Sequence, residues 1–492
     1  MAGTIPGLLD AAARRDPDGS WLRTDEGSLS FGAAAGVVAR TAAALREAGL
    51  RRGDPVVLTA RGTPPYLLCW LAATCLGAAT VATNPAGTPA ELAGLLDQVR
   101  PRLVVDDAEV AALIGDWTAG ADPVAVDDAG IGPDDVATLI PTSGTTGRSK
   151  LVIQTHRAYA MAGEGFPYWM ELTAADRLLA TLPLFHINAP AYSVLGSLAC
   201  GAGLVLLPRF SASGFWDAAR RHGATEFNAI GAMLEILLRQ PARADDADNP
   251  VRLVYTGPAP PRERHEEFER RFGLRIVCGY ALSESPYGLI WPHGSRPYGT
   301  LGSPRQHPTL GVVNHARVVG PSGRDAGPGE SGELWLRNPT LTPGYWGMPA
   351  ETAQVLVDGW LRTGDLVTAD AGGGYTFVSR IKEVIRRRGE NLSPAEVEEV
   401  LAAHPDVLEC AVVGVPSELS EEEVKAFVVP APGVTPDFGA LREWAAARLA
   451  AFKVPRYWQA LADLPRTPTA RVAKHRLPPG HPPAEYDAQE RP

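Results

Sequence analysis

Short apolar runs alternate with helix-periodic stretches through the first half of the chain. Residues 55–59, 103–106, 203–207 and 251–255 are compact runs rich in Val and Leu, bounded by polar residues, Gly or Pro, and they read as strands. Residues 90–99, 215–221 and 261–272 carry apolar positions at helical spacing and read as helices between those strands. Strands alternating with helices in this way imply an α/β fold with mostly parallel sheets. Residues 66–83 carry no charge, but they include Gly77 and several Ala and Thr residues, and Asn84-Pro85 ends them. They are expected to form a buried helix running into a buried strand, with no membrane span.

From about residue 311 to 378 the runs become shorter and Gly and Pro more frequent, the pattern of a β-rich subdomain. A separate pattern follows. Residues 393–401 predict a helix with Ser393 as N-cap, Pro394 in the first turn and Glu396 completing a capping box. Residues 407–415 and 424–429 read as strands and 437–451 as a helix. The expected architecture is therefore a large N-terminal domain, residues 1–380, of mostly parallel α/β sheets with its β-rich subdomain, then a small α+β domain over 381–492. The Pro-rich residues after Leu477 are expected to be a loose tail.

The balance of 46 Lys and Arg against 56 Asp and Glu gives a net charge of −10, which argues against a nucleic-acid partner, whose phosphates call for a basic surface. The cysteines, Cys69, Cys75, Cys200, Cys278 and Cys410, are odd in number and scattered, with no disulfide framework or zinc spacing. Met1-Ala-Gly-Thr-Ile-Pro6 lacks a basic n-region. The expected setting is a reducing, cytoplasmic one.

The densest chemistry lies in Leu139-Ile-Pro-Thr-Ser-Gly-Thr-Thr-Gly-Arg-Ser-Lys150. A strand leads into hydroxyl side chains, Gly144, Gly147 and then Lys150. Glycines turn backbone N–H groups toward an anion, hydroxyls donate to it, and the lysine adds charge. The order does not match a Walker A loop.

Further motifs follow in order: Pro183-Leu-Phe-His-Ile-Asn188, Cys278-Gly-Tyr-Ala-Leu-Ser-Glu284, Gly332-Glu-Leu-Trp-Leu-Arg337 and Gly344-Tyr-Trp346. Then come Asp358-Gly-Trp-Leu-Arg-Thr-Gly-Asp365, Ser379-Arg-Ile-Lys-Glu383, Arg387-Arg-Gly-Glu-Asn-Leu-Ser-Pro394, Phe452-Lys-Val-Pro-Arg456 and Pro465-Arg-Thr-Pro-Thr-Ala-Arg-Val-Ala-Lys474. With these motifs the whole chain resembles the adenylate-forming superfamily of acyl-CoA synthetases, luciferases and nonribosomal-peptide adenylation domains. Residues 227–233, 386–391 and 416–419 are most similar to the carnitine/crotonobetaine-type CoA ligase branch.

The resemblance implies ATP and Mg2+, with CoA as co-substrate. It implies that Thr142, Ser143, Gly144, Thr145, Thr146, Gly147 and Lys150 hold phosphates, with Gly279, Tyr280 and Ser283 at the adenine. Glu284 is the implied magnesium partner, and Asp365 and Arg380 the implied ribose contacts. His186 is implied to border the acid pocket, and Asn188, Asn228 and Gly231 lie in the neighbouring pocket segments. The small domain is implied to be mobile about Lys382. It would offer the loop near Arg471 for adenylation and Arg388, Gly389 and Glu390 for thioester formation, with the run 386–388 as a further contact for a CoA phosphate.

Three departures matter. The phosphate loop ends Ser149-Lys150-Leu151 where the family has Pro-Lys-Gly. The adenine motif has Ala281 and Ser283 for Gly and Thr. The last motif has Ala470-Arg471 for Gly-Lys. Arginine keeps the charge but changes its shape. Either Arg471 or Lys474 takes the family lysine's role, or adenylation is unusual. The leading expectation is a carboxylate–CoA ligase acting on a small-molecule acid and acceptor. An ATP-dependent diazotase, adenylating nitrite for transfer to an aromatic amine, is the alternative, and a degenerate nucleotide-binding regulator a third reading. A homodimer is compatible with the resemblance.

Overall fold

The uncharged stretch around residue 70 shows how the fold is built. In the computed structural model it forms the helix Pro64–Cys75 and the strand Ala79–Ala82, and every strand position is buried. Pro64 opens the helix, where its missing N–H costs nothing, and Gly77, at φ +67°, makes the turn between the two elements. No helix among the described residues is long and apolar enough to cross a membrane. The structure describes residues 3–121, 130–142, 150–257, 259–387, 390–416, 422–466, 472–478 and 485–488.

The chain divides into two units. The larger comprises Met1–Arg317, Trp335–Arg362 and Gly372–Tyr375. Its first sheet places Leu103–Asp106, Pro55–Thr59, Ala79–Ala82 and Val136–Thr142 side by side in parallel, with Lys150–Thr155 antiparallel at the edge. In the second, six neighbouring strands are parallel: Arg275–Leu282, Leu253–Thr256, Glu226–Ala229, Arg177–Ala180, Gly203–Leu206 and Ser20–Arg23. Antiparallel strands flank this block, Ser28–Ser30 on one side and Ser285–Ile290 with Ser303–Pro304 on the other. Strands buried on both faces explain the continuous apolar runs in the sequence. The helices Pro89–Val99, Phe215–His222 and Arg262–Phe272 lie where the periodicity predicts them. The strands His315–Val319, Ser331–Arg337, Leu356–Val357, Trp360–Ala369 and Tyr375–Arg380 make up the β-rich region, of which Val318–Leu334, Thr363–Ala371 and the residues from Thr376 onward are assigned to the smaller unit.

The smaller unit holds the hairpin Ile385–Arg387/Glu390–Leu392 and the sheet Val407–Pro416, Glu422–Pro430, Tyr457–Ala460 and Tyr486–Asp487, with the helices Pro394–Ala402 and Phe438–Ala446. Four expectations are corrected here. The capping box at Ser393 does not form: Ser393 Oγ donates to the Val378 carbonyl at 2.6 Å, and Lys453 Nζ binds the Glu396 carboxylate at 2.6 Å. A tertiary acceptor and a tertiary cation outcompete the local bonds. The second helix ends at Ala446, short of 451. Residues 485–488 are not a loose tail, because Tyr486–Asp487 joins the sheet, Glu485 pairs with buried Lys425, and Asp487 pairs with Arg456. Arg387 is also withdrawn from any phosphate role: it is buried, ion-paired to Glu423 and donates to the Phe452 and Val454 carbonyls.

Candidate active site

In the larger unit the candidate residues cluster by topology. Thr142 ends one parallel strand; His186 and Asn188 follow another, Arg177–Ala180; Asn228 and Gly231 lie at the end of Glu226–Ala229; and Gly279 to Glu284 close Arg275–Leu282. All are at or just beyond the carboxyl ends of parallel strands, where open α/β sheets bind their ligands.

Thr142 and Lys150 face each other across the hairpin, and Thr142 Oγ1 donates to the Lys150 carbonyl at 3.2 Å. This pair flanks residues 143–149 in the sequence. Ser143, Gly144, Thr145, Thr146 and Gly147 lie outside the described residues. The strand from Lys150 is tied to the adenine motif, since buried Gln154 donates through Nε2 to the Ser283 carbonyl at 2.5 Å. The segment around Tyr345 runs along the same strand: Ile153 N donates to Gly344 O at 3.0 Å, and Trp346 N to Leu151 O at 2.9 Å. Gly344, at φ +143°, sits so close to Thr352 that a Cβ would lie 2.5 Å from its methyl. Only glycine allows this approach, and Tyr345 follows it directly.

Tyr345 Oη donates to Glu284 Oε1 at 3.0 Å, and Lys150 Nζ lies 4.6 Å from the centre of the Tyr345 ring. One phenol thus touches a cation on its ring face and a carboxylate at its hydroxyl. Burial, with the negative charge of Glu284 beside it, pushes the Tyr345 hydroxyl far above its ordinary range, so it acts as a donor. Tyr280 is half-buried.

Asn228 Nδ2 donates to Asn188 Oδ1 at 2.7 Å and to Ser193 Oγ at 3.2 Å, and both Asn228 and Ser193 are fully buried. The His186 ring packs edge-on to Phe185 at 4.5 Å. Gly231 opens the helix Gly231–Leu238, and a Cβ there would meet nothing within 4 Å. Glu235, the one acidic side chain in these segments, is held by Arg264 and Arg239, both at 2.8 Å or less. It is therefore committed to ion pairs.

In the smaller unit, Arg380 Nε lies 3.1 Å from Asp365 Oδ1, and the carboxylate is almost completely buried. Thr363 Oγ1 accepts from Asp365 N at 3.1 Å and donates to the Leu334 carbonyl at 2.7 Å, which fixes the turn before Asp365. Lys382 is exposed on the short helix Ile381–Glu383. Lys474 Nζ contacts Glu398 at 2.8 Å and Glu383 at 3.4 Å. Glu390 begins its strand opposite Arg387; Arg388, Gly389 and Arg471 lie outside the described residues. Sequence reasoning assigned no role to Tyr345, Gln154 or Ser193. Tyr345 had a signal, since it stands inside a quoted motif; the other two become visible only through their partners.

Comparisons with known proteins give the class of enzyme. The AMP-binding enzyme model matches residues 9–346, and the AMP-binding enzyme C-terminal domain matches 396–471. The chain belongs to the AMP-binding enzyme family. It is 34% identical to a sulfoacetate–CoA ligase of Cupriavidus necator, over 96% of this chain and 97% of that one. It is 30% identical to a crotonobetaine/carnitine–CoA ligase of Salmonella agona, over 89% and 90%. Among solved structures, ATP-bound MatB from Rhodopseudomonas palustris superimposes with a TM-score of 0.84 at 28% identity, covering 95% of this chain and 97% of that one. The enzyme class is the adenylate-forming acid–CoA ligases. The diazotase alternative is not favoured, because these curated relatives are CoA ligases.

Proposed function

We propose that the acid is small and polar, and that Lys150, Tyr345 and Glu284 form the polar centre at which it is activated. The observations that carry this reading are the contacts of Tyr345 with both Lys150 and Glu284 and the hydrogen bond between the Asn228 and Asn188 side-chain amides. A carboxylate oxygen attacks the α-phosphorus of ATP and pyrophosphate leaves; the CoA sulfur then attacks the acyl carbon and AMP leaves. Both reactants in the first step are anions, so fixed positive charge and oriented donors lower its barrier.

No three His, Cys, Asp or Glu side chains converge on a metal-sized position among the described residues. A single half-buried carboxylate, Glu284, fits Mg2+, which retains waters and shares its shell with phosphates. Bound there, the ion would neutralise phosphate charge. Tyr345 orients the Glu284 carboxylate, Lys150 meets phosphate, Asp365 accepts from the ribose hydroxyls with Arg380 beside it, and Lys382 is the hinge. Arg471 supplies the cation between acid and α-phosphate, because Lys474 is already held by Glu398 and Glu383. Arg388, Gly389 and Glu390 serve the thioester step. The setting is cytoplasmic.

The test is pyrophosphate release over a panel of small acids that includes sulfonated, hydroxylated and quaternary-ammonium carboxylates, followed by mass detection of the CoA thioester. CoA-dependent thioester with at least one polar acid is expected, and nitrite with an arylamine should not consume ATP. Turnover confined to long alkyl or unsubstituted aromatic acids would overturn the polar-acid reading.

A further inference from the structure

Arg305 is fully buried, directly after the edge strand Ser303–Pro304. Its Nε donates to the Leu289 carbonyl at 3.1 Å, Nη1 to Tyr192 Oη at 2.7 Å and to the Pro286 carbonyl at 3.1 Å, and Nη2 to Tyr255 Oη. Trp169, Tyr192 and Tyr255 present their rings at 4.8, 5.2 and 5.2 Å from the guanidinium carbon. These hydrogen-bond partners are all neutral oxygens. Desolvating a guanidinium is costly unless its donors are placed well, so such a residue holds its surroundings in one arrangement.

The two phenols lead in different directions. Tyr192 belongs to the π-helical turn Ala189–Val194, which starts beside Asn188 and carries Ser193. A π turn of this length is an unfavoured backbone that recurs at functional sites. Here it places Ser193 and Asn188 within reach of one buried amide, Asn228. Tyr255 immediately precedes the end of the strand Leu253–Thr256, next to Arg275–Leu282. On that neighbour, a Cβ at Gly279 would lie 2.6 Å from Arg305 Nη2 and 2.8 Å from the Tyr255 ring. Position 279 must therefore be glycine, because Arg305 and Tyr255 occupy the space beneath it.

We propose that Arg305 is a positioning residue with two separable arms. Through Tyr192 and the π turn it sets the Asn188–Asn228–Ser193 triangle that receives the acid; through Tyr255 it backs the Gly279 segment that receives the nucleotide. The guanidinium also places a fixed positive charge in a low-dielectric wall behind a site that binds anions. This assignment rests on the reading of the triangle as the acid's place.

The experiment removes one hydroxyl at a time. In steady-state pyrophosphate release, with the acid that turns over fastest in the wild type, Tyr192→Phe should raise the acid KM roughly fivefold or more and leave the ATP KM within about twofold. Tyr255→Phe should do the reverse. Arg305→Lys, which keeps the charge and loses the fork, should raise both KM values. Thermal midpoints of the two phenylalanine variants should stay near the wild type, which separates positioning from general loosening. Equal changes in both KM values for each Tyr→Phe variant, or none, overturn the proposal while leaving the function standing. A wild type that releases no pyrophosphate with any acid overturns the function and this assignment together.

Discussion

The Tyr345 hydroxyl donates to Glu284 Oε1 at 3.0 Å while the same ring carries Lys150 Nζ on its face. One aromatic side chain thereby contacts a carboxylate in the turn after Arg275–Leu282 and a cation at the start of Lys150–Thr155. Tyr345→Phe keeps the ring and deletes the donor. It should slow adenylation by roughly tenfold, the scale of a charge-assisted hydrogen bond, and raise the Mg2+ concentration for half-maximal rate. Glu284→Ala should abolish pyrophosphate release with the fold intact by circular dichroism. Wild-type rates for Glu284→Ala at limiting Mg2+ would move the metal's role elsewhere.

Asp365 is buried beside Arg380 with its turn fixed by Thr363. Asp365→Ala should weaken ATP binding by roughly tenfold or more, since it removes an ionised acceptor. Calorimetric titration of nucleotide checks this, and an unchanged Kd would rule out the ribose contact.

The two cations of the last motif should separate cleanly. Arg471→Ala is expected to slow single-turnover adenylation by about two orders of magnitude, typical of a lost electrostatic contact to the transition state. Thioester formation from a synthetic adenylate should be nearly unaffected. Lys474→Ala should instead lower the thermal midpoint, because it leaves Glu398 without the 2.8 Å ion pair. If Lys474→Ala is the variant that stalls adenylation, the assignment reverses.

Two buried groups predict opposite pH responses. Burial pushes His156 down to about 4, so the unfolded chain takes up a proton first; its contribution is intact above the ordinary value of 6.5 and fades as pH falls toward 4. Burial, with the charge of Asp176, pushes Glu226 well above 4.5, and its two oxygens have no hydrogen-bond partner among the described residues. The folded chain keeps this proton, so stability is lost as pH rises above 4.5. Glu226→Leu should therefore stabilise by about 1–3 kcal/mol at pH 8 and by less at acid pH. Urea midpoints across pH measure both.

Lys425 is fully buried and 2.5 Å from Glu485. Glu485→Ala should destabilise the smaller unit by about 3–5 kcal/mol, and Lys425→Met with Glu485→Leu should recover most of that loss. Thermal unfolding of the single and double variants decides whether residues 485–488 are a structural clamp.

Local sequence by itself determined the α/β alternation, the buried helix and strand within 66–83, and the placement of Thr142, Lys150, Glu284 and Asp365 in motifs. Each of these depends on a few consecutive residues: apolar runs, helical spacing, or glycines and hydroxyls in order. Tertiary structure alone decided what lies far apart in the chain. Gln154 reaches Ser283 and Asn228 reaches Asn188 and Ser193, and no local pattern marks such pairs. Arg305 reads as one more loop arginine until three aromatic rings enclose it. Ser393 had every local reason to cap its helix, yet no cap bond forms, and its hydroxyl is turned to donate to the Val378 carbonyl that the fold supplies. The tail likewise looked unstructured from composition, but a buried lysine needed its carboxylate. Local pattern sets which elements form, and burial, which makes unpaired polar groups costly, selects their distant partners.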